Sequence, residues 1–389
     1  MSEPDRGTGQ DSYRRPRELE EGGWRVEERR SFRSDDPGAS AFARPELRSW
    51  SPDSDRAFVV IPCLNEAPHI EALVRRLLDD PDWRDPLVVV ADGGSTDGTQ
   101  QIVRALAAED RRVRLLDNPR RLQASAVNLA AARHGRGRRF MVRVDAHAGY
   151  PEAYVSRLVS EACRTGAASV VVAMDTVGAG GFQSAAAAAQ NSVLGVGGSA
   201  HRMGRASGWV EHGHHALFDL GHFFGVGGYD ESFRANEDAE YDVRLNQRGG
   251  RVWMSGEVRV TYYPRSTALS LFRQYLHYGQ GRARTLLRHR QRPRLRQLVP
   301  AAVFPAVVLA PLGLLAPAMA LPAAVWFGAC LAGGVALGLK TGRREAFGAG
   351  VAAAVMHLAW SVGFWRQLVS GPEAGPWRPS LVAREGFNS

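Results

Sequence analysis

The sequence predicts an α/β domain with a mainly parallel sheet, followed by transmembrane helices at its C-terminal end. Between Phe58 and Val144, short apolar runs alternate with segments of helical spacing, the pattern of strand–helix–strand units in a parallel sheet. From Leu298 to Leu339, 42 residues contain no Asp, Glu, Lys, Arg or His, and a membrane helix needs about 20. The 389 residues hold one large domain or two ordinary ones, with 49 Lys+Arg against 40 Asp+Glu for a net charge of +9. Such a balance suits a nucleic acid, a membrane surface or a phosphorylated substrate. The three cysteines, Cys63, Cys163 and Cys330, form no CxxC pair, which points away from a zinc site or a disulfide framework and fits a reducing compartment.

Residues 1–55 are rich in Arg, Glu, Asp, Ser and Gly, without an apolar leader, and read as a disordered polar arm. The first strand is Phe58–Ile61, running into Pro62-Cys-Leu-Asn-Glu66; Ile70, Leu73, Val74, Leu77 and Leu78 then take helical spacing. The second strand, Leu87–Val90, ends at Asp92-Gly-Gly94, and Ser95, Thr96 and Asp97 each offer an N-cap for a helix running to about Ala108. Ligands of open α/β sheets bind beyond the carboxyl ends of the strands. Asp92 stands at that end, and glycines such as Gly94 admit close backbone approach. Val113–Leu116 is a third strand, Gln123–Arg133 an Ala-rich helix, and Phe140–Val144 a fourth strand ending in Asp145-Ala-His147. Asp92 and Asp145 thus come to one edge of the sheet.

From Gly166 to Gly228 the chain is rich in Gly and Ala and offers no clear element. Gly195-Val-Gly197 imitates a dinucleotide fingerprint, but no strand leads into it. His212, His214 and His215 cluster on a glycine-containing loop. A metal site, a substrate contact and a plain loop are the competing readings. Glu237, Asp238 and Glu240 open a helix over Ala239–Gln247 that stops at Gly249; an acidic first turn also suits the helix dipole. Residues 265–297 form a basic stretch with Tyr275 and Tyr278 interleaved, which resembles an RNA-binding arm until its position beside the apolar run makes it a juxtamembrane segment. Within 298–369, Pro311, Pro317 and Pro322 offer kinks or a turn between two spans, Lys340, Arg343 and Arg344 interrupt, and Ala346–Trp365 is a third apolar segment with His357 its one ionisable residue. Basic flanks on both sides of the hairpin place the soluble part in the cytoplasm and, if the third segment crosses, the tail 370–389 outside.

In order along the chain, Val60-Ile-Pro-Cys-Leu-Asn-Glu66, Ala91-Asp-Gly-Gly-Ser-Thr-Asp-Gly98, Arg143-Val-Asp-Ala-His147, Gly227-Gly-Tyr-Asp230, Asn236-Glu-Asp238, Tyr262-Tyr-Pro-Arg265 and Gln274-Tyr-Leu-His-Tyr-Gly279 resemble the family 2 glycosyltransferases. The resemblance is greatest to exopolysaccharide enzymes of the succinoglycan glucosyltransferase type. It implies a GT-A nucleotide-sugar fold over 56–264. Asp92, with Pro62, Asn65, Glu66 and Gly94, would hold the nucleoside of a UDP-sugar. Asp145 and His147 occupy the place of the family's DxD element, implying Mn²⁺ or Mg²⁺. Asp238 matches the catalytic base, with Glu237 its neighbouring rival. Gln274 and Tyr278 fall in the family's QxxRW element and, with His214, would contact substrate. His147 in place of Asp lacks the carboxylate's charge. His277 and Tyr278 in place of Arg and Trp favour addition of one sugar over processive synthesis. The expectation is an inverting, multi-pass enzyme of the bacterial inner membrane. It would take a UDP-hexose (UDP-glucose by resemblance) and a polyprenyl-diphosphate-linked saccharide, with no nucleic-acid partner. A processive polysaccharide synthase and a membrane-anchored nucleotide-sugar binder without turnover are the rival readings.

Overall fold

The computed structural model describes residues 56–197 and 206–371; the arm expected over 1–55 and the tail beyond Gly371 lie outside the described residues. In chain order the soluble part runs β1 (Ala57–Cys63), α1 (Ala67–Leu78), β2 (Val88–Asp92), α2 (Thr99–Glu109), β3 (Val113–Asp117), α3 (Gln123–His134), β4 (Phe140–Arg143), α4 (Tyr154–Thr165), β5 (Ser169–Thr176), α5 (Gly181–Gln190), α6 (Val193–Val196), β6 (Gly208–Val210), β7 (His214–Asp219), α7 (Leu220–Gly225), α8 (Glu237–Gln247) and β8 (Val252–Tyr262). The described strands form one eight-stranded sheet in the order β3-β2-β1-β4-β7-β5-β8-β6. Strands β1–β4 are mutually parallel, β5 and β8 are parallel, and β7 and β6 run against their neighbours.

The apolar runs are continuous because the strands are covered on both faces. Val59 and Ile61 face one layer with Ile70 and Leu73 of α1, Val103 of α2 and Val155 and Leu158 of α4. Phe58 and Val60 face the other, with Val127 of α3, Phe223 of α7 and Tyr241 and Leu245 of α8. Cys63, Asp92 and Asp117 lie side by side at the carboxyl ends of β1, β2 and β3, so that edge collects the loops the sequence singles out.

Three local expectations change. The N-cap of α2 is Gly98 at φ 98°, not Ser95, Thr96 or Asp97. Asp97 stands one residue earlier and accepts from the Thr99 N–H at 3.1 Å. The stretch 166–228, unassigned from sequence, holds β5, α5, α6, β6, β7 and α7; β7 is hard to read because its apolar core is only Ala216-Leu-Phe218. His214 and His215 therefore open a strand and are not loop residues. The stop at Gly249 holds: its φ is +80°, and the Gly250 N–H reaches the Leu245 carbonyl at 3.0 Å.

The rest of the chain forms α9 (Ala268–Arg288), α10 (Leu295–Ala301), α11 (Val303–Leu309), α12 (Leu321–Thr341) and α13 (Ala349–Ser370). Amphipathic α9 starts at a Thr267/Ser270 capping box. Two glycines let it lie between the catalytic domain and α13. A Cβ on Gly279 would stand 2.0 Å from the Trp360 carbonyl, and one on Gly281 2.5 Å from the Ala235 carbonyl. Among the described residues, three segments are long and apolar enough to cross a membrane: Gln297–Leu314, Leu321–Thr341 and Arg344–Ser370. The first is broken where Pro305 cannot donate to the Ala301 carbonyl. That carbonyl instead accepts from Ser361 Oγ (2.9 Å) and Trp365 Nε1 (2.7 Å) of α13, and the Phe304 N–H donates to Ser361 Oγ (2.9 Å). This is the internal satisfaction that lipid requires of a broken helix. The turn between the first two segments falls at Leu315–Ala320, with Leu314 and Leu315 93% and 86% exposed, as expected of side chains that face lipid.

Candidate active site

The loops after β1 and β2 are stitched together. Asn65 N–H donates to Ser95 Oγ (2.8 Å), Thr96 N–H to Asn65 Oδ1 (2.9 Å), Glu66 N–H to Thr99 Oγ1 (2.9 Å) and Ala67 N–H to Asp97 Oδ2 (3.0 Å). Asn65 adopts φ 58°, a conformation Asn tolerates better than most residues. Asp92 is 2% exposed and accepts from the Gly94 and Ser95 N–H groups (both 2.9 Å) and from Gln100 Nε2 (2.6 Å). Burial pushes its carboxyl up, but the Ser95, Gln100 and Gly94 hydrogen bonds outweigh it and hold the group below the usual range. Asp92 therefore shapes the loop from beneath. Gly94, at φ 86°, lies under the Arg121 guanidinium.

Strand β4 delivers Arg143, and the turn beyond it delivers Asp145 and His147. Tyr150 fixes the turn, its hydroxyl accepting from the Asp145 N–H at 2.6 Å. Arg143 is 4% exposed. Its Nε lies 3.8 Å from Asp145 Oδ1, one terminal nitrogen donates to the Tyr229 hydroxyl (3.3 Å), and the other is 3.3 Å from His214 Nδ1. His214 Nε2 is in turn 3.6 Å from Asp145 Oδ2. Burial pushes the Asp145 carboxyl up, but Arg143 and then His214 hold it below the usual range. His147 Nδ1 meets Glu66 Oε1 at 2.9 Å, and that carboxylate holds the imidazole above its ordinary pKa.

Glu237 and Asp238 open α8 behind Asn236, which takes φ 62° and donates to the Tyr278 carbonyl at 2.9 Å, tying the acids to α9. Glu237 is buried. Desolvation, then repulsion by Asp238, raise its carboxyl to about 7 against the opposing pull of Arg143. On α9, Gln274 Nε2 donates to the Tyr262 hydroxyl (2.9 Å) and the Tyr278 hydroxyl (3.1 Å), while its buried Oε1 has no hydrogen-bond partner.

Pro62, Asp145, His147, His214, Glu237, Asp238, Gln274 and Tyr278 line one open cleft of about 1140 Å³. Asn65, Asp92 and Gly94 are not on its lining, and Glu66 joins it only through His147. Arg143, which links the Asp145 side to the Glu237 side, is the residue sequence reasoning missed. Its signal was an arginine two positions before Asp145 in a strand buried on both faces. Asn128 is a second: it bonds the backbone of Tyr229 on both sides (2.8 and 2.9 Å) and so fixes the Gly-Gly-Tyr-Asp turn.

Among the described residues no three His, Cys, Asp or Glu side chains gather as a closed metal cage. Mg²⁺-type sites, however, commonly use one or two protein ligands plus substrate phosphates. Asp145 can supply a carboxylate. His147 is oriented as a ligand would be, with Nδ1 on the Glu66 carboxylate and Nε2 left for a metal. The residues fit an open site completed by a diphosphate.

The parallel sheet, the loops at its carboxyl edge and the acid-lined cleft define a glycosyltransferase of the GT-A type. Residues 58–225 match the family described as Glycosyl transferase family 2. The chain is 53% identical over 318 residues, 81% of its length and 96% of the relative's, to "Succinoglycan biosynthesis protein ExoA" of Rhizobium meliloti. Of solved structures, the mannosyltransferase PcManGT from Pyrobaculum calidifontis, in complex with GDP-Man and Mn²⁺, shares the fold at a TM-score of 0.51 with 23% identity, covering 81% of this chain and 87% of that one. The chain belongs to the family 2 glycosyltransferases, and its described residues include three candidate membrane helices after the catalytic domain.

Proposed function

We propose that this protein is an inverting glycosyltransferase that moves a hexose from a UDP-sugar, UDP-glucose by preference, to a polyprenyl-diphosphate-linked saccharide in succinoglycan-like exopolysaccharide assembly. The observation that carries the reading is the continuity of the cleft. The lining that holds Asp145, Glu237 and Asp238 also includes Arg273, His277 and Arg282 of α9 and Val299, Val303, Trp326 and Trp360 of the apolar helices. Acids, basic side chains and apolar residues of the spans share a single space, the three kinds of surface that a lipid-linked diphosphate saccharide would meet. The basic flanks of the apolar hairpin support a cytoplasmic catalytic domain on the inner membrane.

Asp145 and His147 would hold a divalent metal ion, which supplies positive charge to the diphosphate leaving group. Pro62 and the stitched loops built on Asn65, Asp92 and Gly94 receive the nucleoside. Of the two adjacent acids, the desolvated Glu237 keeps the shared proton because two neighbouring carboxylates resist ionising together. Asp238, less buried, is left as the carboxylate and takes the proton from the acceptor hydroxyl as the sugar bond forms. Attack from the face opposite the leaving group inverts the anomeric centre. The unpartnered Gln274 Oε1 would accept from a substrate hydroxyl, with Tyr278 and His214 beside it on the lining.

The test is a donor screen on membranes, reading UDP release and the mass of the lipid-linked product. A single added hexose from UDP-glucose supports the reading. Long products make the protein a processive synthase, and donor binding without UDP release makes it a binder.

A further inference from the structure

His357 sits in the middle of α13, and the function above leaves it unused. Inside an apolar span an ionisable side chain is costly and needs a partner. His357 has partners on two other elements. Its Nε2 is 2.9 Å from the carbonyl oxygen of Leu194, 163 residues away on α6. A carbonyl only accepts, so the proton is on Nε2 and Nδ1 is left as an acceptor. The Trp326 Nε1–H of α12 points at that Nδ1 at 3.4 Å. The row Trp326 → His357 → Leu194 therefore runs with every donor facing an acceptor, through a neutral imidazole, from one span through another to the catalytic domain.

Packing follows the same line. The Leu194 side chain lies 3.0 Å from where a Cβ on Gly333 of α12 would stand, and Gly195 is pressed between the Ala189 carbonyl and Met356. Trp326, His357, Leu194 and Gly195 all line the cleft, as do Val299, Val303 and Trp360. The loop that carries α6 is thus one wall of the apolar lobe, the spans are the other, and His357 sets their separation.

We infer that His357 is a positioning residue for the acceptor: by tying α6 to α12 and α13 it holds open an apolar slot that takes the linear isoprenoid chain of the lipid-linked saccharide. This rests on the lipid-linked acceptor proposed above. His357 touches no reacting atom; it acts through Leu194 and the wall that Leu194 belongs to.

The test uses the full chain in lipid nanodiscs with two acceptors, the polyprenyl-diphosphate saccharide and the same saccharide on a short water-soluble aglycone. His357→Leu removes the Leu194 and Trp326 hydrogen bonds together with the contact to Cys330 Sγ, 3.8 Å from Nδ1. His357→Gln restores the two hydrogen bonds, its amide N–H₂ facing Leu194 and its oxygen facing Trp326. His357→Leu should raise KM for the polyprenyl acceptor about tenfold, the scale of one lost buried hydrogen bond. Its kcat, its KM for the UDP-sugar and its transfer to the soluble acceptor should stay at parent values, and His357→Gln should return KM to within about twofold of the parent. Trp326→Phe, which keeps an aromatic ring of smaller size and removes the indole donor, gives the same direction if His357→Leu does not assemble. Equal losses on both acceptors, or an unchanged polyprenyl KM in both His357→Leu and Trp326→Phe, overturn the inference alone. Failure of the parent to use any polyprenyl acceptor overturns the proposed function first, and this inference with it.

Discussion

Replacing Arg143 by Met keeps most of the side chain's volume and removes its charge from the floor of the cleft. Arg143 is 4% exposed and stands 3.8 Å from Asp145. At that separation and an effective dielectric of about 20, the attraction is about 4 kcal/mol. Removing one partner of a buried pair costs about 3–5 kcal/mol, since the other charge is left uncompensated. Arg143 also opposes the raised pKa of Glu237, so the loss extends to the acid pair. For a chain of this size each kcal/mol lowers Tm by about 2–4 °C, giving a drop of about 6–20 °C in scanning fluorimetry of the purified protein. The sign with pH follows from Glu237, whose folded pKa is raised to about 7. Its favourable proton uptake is complete below the unfolded carboxyl value and is lost as pH rises through about 7. Without Arg143 the folded pKa climbs further, and the penalty reaches to higher pH. The gap in Tm between parent and Arg143→Met should therefore be larger at pH 8 than at pH 5.5. An equal gap at both pH values, or no gap, would refute the assignment of Arg143 as the cation that balances these acids.

Asp238→Asn should lower sugar transfer by about 10²–10⁴-fold, the usual loss of general-base catalysis, with UDP-sugar affinity by calorimetry nearly unchanged; if Glu237→Gln alone is inactive, the base is Glu237. His147→Ala should weaken the metal dependence of UDP binding while leaving metal-free binding as in the parent, and Glu66→Gln should give a milder version of it, about 10–100-fold in metal affinity. Identical titrations of parent and His147→Ala with and without Mn²⁺ would remove His147 from the metal site. Asp92→Ala orphans the Gly94 and Ser95 N–H groups and the Gln100 amide, so it should lower Tm as well as UDP affinity, each left-over donor costing about 1–3 kcal/mol; weaker UDP binding at an unchanged Tm would mean that Asp92 contacts the nucleotide and does not shape the loop.

The amino-acid sequence alone determined the elements whose signal is local. Phe58–Ile61, Leu87–Val90 and Phe140–Val142 are unbroken apolar runs because both faces of their strands are covered. The charge-free stretch from Leu298 is legible because lipid excludes charge over a fixed length. The ordered motifs around Asp92, Asp145 and Asp238 named the family. Tertiary structure alone decided the rest, because pairing across the chain leaves no periodic trace. Strand β7 needs only three apolar residues when β4 and β5 flank it, so His214 reads as a loop residue until that pairing brings it to Asp145. Arg143 reads as one more basic residue until Asp145, Tyr229 and His214 converge on it. Asp92 reads as a ligand group, and only the fold shows that its oxygens also hold its own loop. Pro305 frees a carbonyl whose partners, Ser361 and Trp365, only the assembled fold brings to it. His357 reads as a lone polar residue in a span until Leu194, 163 positions earlier, supplies its acceptor. Local periodicity says which face of an element is buried; only the assembled chain says which partner waits there.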